Sequence, residues 1–187
     1  VRFDWEDYLA SFQFPEEETT AIAKAMFLSS NWNLVDEGRL SYEEIEQIFV
    51  DSCPAYADDI RLVFAHFGDC ITRFPYTRHW ISSLKQQGYQ VYYLSNYGDF
   101  TCQYTRKDLD FCDLMDGGVM SYEVKCLKPD PVIYQNLFEK YHLKPEECVF
   151  IDDNAANIDA AKKLWMKTIL FQDYFQAQKQ LNVLCNK

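Results

Sequence analysis

The chain is poor in the features that decide most functional questions early. No two of its seven cysteines form a Cys-x-x-Cys pair, and their number is odd. Metal-finger and thioredoxin-like readings have no support there. The three histidines, His66, His79 and His142, are scattered without metal-ligand spacing. Packing or surface positions suit them better than catalysis. Basic residues are few: 18 Lys and Arg stand against 29 Asp and Glu, for a net charge of −11 and a pI near 4.6. Such a surface is a poor partner for nucleic acid, whose phosphates select Lys and Arg. A small phosphorylated substrate needs only a local positive pocket and stays open. No apolar run approaches the roughly 18 residues of a membrane span, and no signal-peptide pattern is present. Reduced thiols, some of them filling the core, and a cytoplasmic location are the expectation. There is no internal repeat and no low-complexity linker.

What is present is apolar mass. Of 187 residues, 48% are hydrophobic and 17% aromatic, enough for one domain with a core, or a core plus a small inserted domain. Residues 1–5 read as the tail of a strand or loop. From about Asp4 to Phe74 the signals are helical. Trp5, Tyr8, Leu9 and Phe12 share one face. Pro15 followed by Glu16, Glu17 and Glu18 is a helix start, because proline fits the first turn and acids complement the dipole. Ile22, Met26 and Phe27 continue the stripe, and Gly38 breaks it. Ser41-Tyr42-Glu43-Glu44 is a capping box, followed at helical spacing by Ile45, Ile48 and Phe49. Ile60, Val63, Phe64 and Phe67 predict a further helix ending near Gly68. About four helices with no strand among them make a small bundle. Trp32, Tyr42 and Phe49 are candidates to line a pocket, but aromatic residues at helical spacing are more often core.

At Pro75 the pattern changes. Trp80, Ile81 and Leu84 mark a helix with Gly88 just past its end. Residues 90–94 read as a strand stopping at Ser95-Asn96, and Phe100, Tyr104 and Leu109 suit another helix. Residues 117–120 look like a short strand. Pro131 opens a helix carrying Ile133, Tyr134, Leu137 and Tyr141. Cys148-Val149-Phe150-Ile151 is an apolar strand that ends in Asp152-Asp153, and a helix carries on to Leu164. Residues 168–171 are a last strand before a polar terminal helix. Strands alternating with helices predict an α/β fold with a doubly wound parallel sheet.

Chemistry gathers at strand ends. Two adjacent carboxylates repel: at about 4 Å and an effective dielectric near 20 the cost approaches ~4 kcal/mol. A hard cation such as Mg2+ removes it, taking carboxylate oxygens and keeping water or phosphate as its other ligands. Asp152 or Asp153 as a plain helix cap is the simpler alternative for an isolated pair. Ser95-Asn96 offers a hydroxyl and backbone N–H groups that can hold phosphate oxygens, and otherwise makes an ordinary turn. Lys128-Pro129-Asp130-Pro131 fixes one cation between a strand and a helix. Lys125, nearby, lacks the proline context and is expected to play no part. Gln172-Asp173-Tyr174 follows the last strand, where a plain loop is the better reading.

Taken together and in this order, Leu94-Ser95-Asn96, Leu127 through Tyr134 with its Lys128-Pro129-Asp130-Pro131 centre, and Phe150-Ile151-Asp152-Asp153 with Asn157 resemble the haloacid dehalogenase superfamily. The chain is similar to its phosphatase-type members with an inserted helical cap. Residues 32–44, with Asp36-Glu37-Gly38 and the Ser41 box, resemble the cap of glucose-1-phosphate phosphatase-like members. The resemblance implies a Rossmann-like core at 75–187, a four-helix cap at 4–74, and residues 1–3 as a remnant following the first strand. It implies a phosphatase acting on a small phosphorylated metabolite, a sugar phosphate first among them, through an aspartyl phosphate. Ser95 and the Asn96 backbone would bind the phosphoryl group. Lys128 would hold that group beside the nucleophile. Asp153 would ligate Mg2+, with Asp152 direct or through water.

One part of the pattern is missing. The nucleophile motif, Asp-x-Asp or Asp-x-Gly at the end of an apolar strand, is not among these residues, and Asp4 is no substitute because Trp5-Glu6-Asp7 continues into a helix. The expectation is a natural chain that starts roughly a dozen residues earlier, one strand plus a loop. A chain truly this short would lack activity and act as a silent scaffold or binding protein. A dehalogenase-type hydrolase on the same fold is a further alternative. It needs no metal, so Mg2+ dependence separates the two.

Overall fold

A computed structural model describes residues 1–185. Its contacts divide the chain into two compact units, Val1–Lys125 and a second that begins at Cys126.

The first unit opens with β1 (Arg2–Phe3) and runs through five helices: α1 (Trp5–Ala10), α2 (Glu16–Ala25), α3 (Trp32–Glu37), α4 (Tyr42–Ser52) and α5 (Ala57–Ala65). It then returns along β2 (Ile71–Thr72). β1 and β2 pair antiparallel, Phe3 opposite Ile71, and Asp4 N donates to Cys70 O at 2.7 Å. The helical segment therefore enters and leaves through one two-residue ribbon. The sequence pattern anticipates about four helices and no strand here. The additional helix, α3, is six residues long like α1 but has no apolar continuation past its end, because Asp36, Glu37 and Gly38 follow Val35, and a two-residue strand has no alternation to read.

Local chemistry explains the boundaries. Pro15 precedes α2 and three glutamates fill its first turn. The Ser41 capping box is formed in full: Glu44 N donates to Ser41 Oγ at 3.2 Å and Ser41 N to Glu44 Oε2 at 2.7 Å. α3 ends at Gly38 in the left-handed region, where any larger residue would also collide with Tyr122.

The helices bury an aromatic core. Leu9, Ile22, Met26, Val35, Ile45, Phe49, Ile60, Val63, Phe64 and Phe67 are essentially inaccessible. Phe64 lies at its centre, its ring centroid 4.5 Å from Tyr42, 5.3 Å from Phe49, 5.3 Å from Phe67 and 6.0 Å from Phe100. Each such ring contributes roughly 1.5–3 kcal/mol by burial. Phe49 is thus core, and Trp32 and Tyr42 are half-buried against the same cluster.

The unit continues with α6 (Thr77–Gln86), β3 (Tyr92–Ser95), α7 (Asp99–Tyr104), β4 (Gly117–Met120) and α8 (Ser121–Val124). β3 and β4 pair in parallel, Ser95 opposite Met120. Tyr97, Phe100 and Met120 belong to the same buried cluster as the helical core, so this strand pair and the helices pack as one body.

The second unit holds α9 (Pro131–Tyr141), β5 (Val149–Asp152), α10 (Ala155–Lys163), β6 (Lys167–Leu170) and α11 (Tyr174–Cys185). β5 and β6 pair in parallel, Asp152 opposite Leu170, with α10 as the crossover. Ile133, Tyr134, Ala161, Ile169 and Ala177 are fully buried around them. Two parallel pairs with helical crossovers are the α/β architecture the sequence predicts.

Candidate active site

In the second unit the chemistry sits at the carboxyl end of β5. Phe150 turns into the core and Asp152 ends the strand. Lys128 Nζ lies 2.7 Å from Asp152 Oδ2, with the two side chains only 10% and 7% exposed. Asp152 Oδ1 accepts from Asn154 N and from Asn157 Nδ2, both at 2.9 Å. Asn157 stands in the first turn of α10 and is buried. Asn154 caps that helix through Ala156 N. The caps, the strand end and the ion pair therefore define one another.

Several features hold Lys128 in place. Its ammonium lies 5.7 Å from the centroid of the Phe150 ring. The Lys128-Pro129 peptide is cis, Asp130 N donates to Leu127 O at 2.9 Å, and Asp130 caps α9 through Val132 N. Below the pair, Tyr134 is fully buried and donates to Asn157 O at 3.0 Å. Burial and then the nearby Asp152 charge push its phenol well above the ordinary range, so it stays a donor. A desolvated pair of this kind is held by its partners, and removing one of them typically costs about 3–5 kcal/mol.

Asp153, the next residue, is exposed. It lies just ahead of the α10 cap, where negative charge is favourable. Among the described residues no group of three or more His, Cys, Asp or Glu is arranged to hold a metal; Asp152 and Asp153 are a pair.

Ser95 and Asn96 belong to the first unit, at the carboxyl end of β3. Both are half-buried, and the Ser95 hydroxyl reaches Asn96 O only at a long 3.5 Å. The loop beyond them is pinned: Tyr97 N donates to Ser121 Oγ at 2.8 Å, and the Tyr97 and Thr105 hydroxyls lie 2.7 Å apart. Thus the structure joins Lys128 and Asp152 directly. It places Asp153 next in the chain, outside the ion pair, and holds Ser95 and Asn96 at a second strand end.

Other candidates take quieter places. All three histidines are exposed. Lys125 ends α8 in the left-handed conformation, and its ammonium donates to Gly38 O, tying the end of α3. Asp173 caps α11 by accepting from Gln176 N at 2.9 Å. All seven cysteines are free thiols. Burial pushes Cys70 and Cys102 up to about 12 and Cys112 to about 11, which suits inert core fillers. No helix among the described residues is long and apolar enough to cross a membrane. Sequence reasoning did not find Asn154 or Ser121. Each is one small polar residue, and only the position of Asn154 just before a helix could have flagged it.

The family model described as haloacid dehalogenase-like hydrolase matches residues 5–164. The D-ribitol-5-phosphate phosphatase of Bacteroides thetaiotaomicron is 29% identical over 110 residues, 54% of this chain and 52% of that protein. The (S)-2-haloacid dehalogenase 4A of Burkholderia cepacia is 29% identical over 99 residues, 53% of this chain and 43% of that protein. The chain spans between 31% and 52% of the length of the curated relatives it matches first. Among solved structures, a HAD family enzyme from Bacteroides thetaiotaomicron, in complex with magnesium and inorganic phosphate, aligns with a TM-score of 0.71 at 21% identity. It covers 93% of this chain and 91% of that one.

Proposed function

The chain belongs to the haloacid dehalogenase-like hydrolases, and we propose that within this family it is a phosphatase for a small phosphorylated metabolite, a sugar phosphate first among them. The observation that carries the reading is the nearly buried Lys128–Asp152 pair at the end of β5, with the exposed carboxylate of Asp153 beside it. A fixed cation at a strand end is suited to a phosphoryl group. The relatives add support: one is named for hydrolysing a sugar-alcohol phosphate, and a structural neighbour is a complex with magnesium and phosphate.

The residues take these roles in the proposal. Lys128 meets the negative charge of the transferring phosphoryl group, oriented by Asp152. The Ser95 hydroxyl and the Asn96 N–H donate to phosphoryl oxygens. The helical segment from Asp4 to Phe74 is the cap, entered and left through the β1–β2 ribbon. No aspartate of this sequence is assigned the part of nucleophile.

The donor set suits Mg2+. Asp152 Oδ1 already takes two N–H donors and Oδ2 takes Lys128, so Asp153 is the residue to hold the ion directly, with Asp152 limited to one remaining lone pair or a water. Mg2+ is commonly held by one or two carboxylates together with waters and a substrate phosphate. When bound, it supplies positive charge that offsets the phosphoryl oxygens.

The test is release of inorganic phosphate by the full natural chain from a panel of sugar phosphates and p-nitrophenyl phosphate, with and without EDTA. Mg2+-dependent release from at least one ester is expected. No release from any of them, or release untouched by EDTA, sinks the proposal. The likeness to a haloacid dehalogenase keeps a second reading in play; halide release from a 2-haloacid without added metal would favour it.

A further inference from the structure

We propose that Ser121 is a positioning residue that sets the shape of the Ser95–Asn96 loop by clamping the following peptide to the end of α3. The proposal rests on the phosphatase reading, in which that loop holds the phosphoryl group.

Ser121 is fully buried, at the junction of β4 and α8. Its Oγ donates to Asp36 O at 2.6 Å and accepts from Tyr97 N at 2.8 Å, with Tyr97 O at 3.3 Å. One hydroxyl thus bridges three segments: the last turn of α3, the loop two residues beyond Ser95, and the start of α8. A serine has one donor hydrogen, and the 2.6 Å contact to Asp36 O claims it.

Neighbouring contacts fix the same peptide from other sides. Gly98 packs so close to α3 that an added Cβ would lie 2.2 Å from Val35 O. Tyr97 is buried. Thr105 spends its hydrogen on Thr101 O at 2.7 Å, so the Tyr97 hydroxyl is the donor in its 2.7 Å contact with Thr105. With Ser95 held in the β3–β4 pairing and residue 97 held at its amide and at its ring tip, Asn96 is anchored on both sides. A backbone N–H can receive phosphate only if its plane is already set. The serine touches no reacting atom and acts through the loop.

The experiment compares Ser121→Ala, Ser121→Thr and Tyr8→Phe in the full chain. Tyr8→Phe removes a comparable buried hydrogen bond, Tyr8 OH to Val63 O at 2.6 Å, in the helical core. The readouts are thermal midpoint, inorganic phosphate affinity, kcat and KM for p-nitrophenyl phosphate, and amide hydrogen exchange at Asn96 and Tyr97. Ser121→Ala is expected to weaken phosphate affinity and lower kcat at least tenfold, and to speed exchange at both amides at least tenfold. Ser121→Thr, which keeps the hydroxyl, should recover most of this. Tyr8→Phe should lower the midpoint while leaving affinity and exchange at 96–97 within twofold. Phosphate affinity and kcat in Ser121→Ala equal to those of Tyr8→Phe would overturn the proposal. If the unaltered protein neither binds phosphate nor cleaves the ester, the phosphatase reading fails by itself. The exchange data then decide the clamp: Asn96 and Tyr97 amides no faster in Ser121→Ala than in Tyr8→Phe overturn it.

Discussion

In the first unit the buried polar atoms are tips of otherwise apolar or small side chains. Tyr8 reaches Val63 O, Tyr97 reaches Thr105, and Ser121 bridges Asp36 and Tyr97, all inside a shell of packed rings. In the second unit the main buried polar feature is a full ion pair, Lys128 and Asp152, beside the buried Asn157 and the rings of Phe150 and Tyr134. The charges divide in the same way. Residues 1–125 carry 21 of the 29 acids and 10 of the 18 bases, so the whole net charge of −11 lies there. From Cys126 onward the formal charges cancel. A phosphorylated ligand meets no net repulsion from that part of the chain. The difference separates two uses of burial: rings give the first unit rigidity, whereas the second holds a charge at a fixed point, which packing alone does not require.

Lys128→Met cuts deepest into this contrast. It strands Asp152 in a nearly dry site, so the second unit should lose about 3–5 kcal/mol in urea unfolding. Phosphate release should fall at least about 100-fold. Adding Asp152→Asn should restore stability to within about 1.5 kcal/mol while activity stays lost. A stable, active Lys128→Met protein would erase the distinction between the units. Phe64→Ala is the matching test in the first unit. Loss of a ring that meets four others should cost about 3–5 kcal/mol, and phosphate affinity of the protein that remains folded should hold. If affinity falls with it, the aromatic core does more than pack.

How much of this was legible beforehand depends on the kind of signal. β5 and α10 were readable because an apolar run meets Asp-Asp and then a 3.6-residue pattern. The Ser41 box and the Gly38 and Gly88 stops are local chemistry that tertiary packing left alone. The helix after β3 is where the pattern misled. Phe100, Tyr104 and Leu109 look like one apolar face, yet the helix ends at Tyr104, which is 53% exposed. Thr101 and Thr105 share the inward positions with Phe100. A threonine whose hydroxyl is satisfied by the previous turn, as Thr105 is by Thr101 O, can be buried; sequence periodicity counts it as polar. The residues of the candidate site were legible as types at strand ends. Their partners were not: Asn154, and the tie from Asn157 to Asp152, follow from three-dimensional closure around one carboxylate.

Asp153→Asn sharpens the comparison inside the second unit, because it changes charge without touching the buried pair. Exposed as it is, the residue should leave stability within roughly 0.5 kcal/mol. Phosphate release in Mg2+ should nevertheless drop to a small fraction of the unaltered rate. Near-normal turnover in Mg2+ would end its assignment as the metal-holding residue, and would shift attention to the last lone pair of Asp152.

The smallest effect tests whether an exposed ion pair in the acidic unit behaves unlike the buried one. Asp116 accepts from Lys85 Nζ at 2.7 Å and from Val91 N at 2.8 Å. The Lys85 hydrogen bond first, then the Val91 N–H, hold its carboxyl below the ordinary value of 3.8. A carboxyl whose folded pKa is depressed adds stability that is present above the unfolded value and lost as pH falls through the folded one. Asp116→Asn should therefore lower stability by roughly 0.5–1 kcal/mol at pH 7. The gap to the unaltered protein should close as pH drops below 3.8. High salt should shrink it as well, since the pair is open to screening. The Lys128–Asp152 contribution, shielded from solvent, should resist the same salt. Paired urea titrations at low and high ionic strength, across that pH range, measure both. Equal salt sensitivity of the two pairs would mean that burial at the end of β5 is not what distinguishes the second unit.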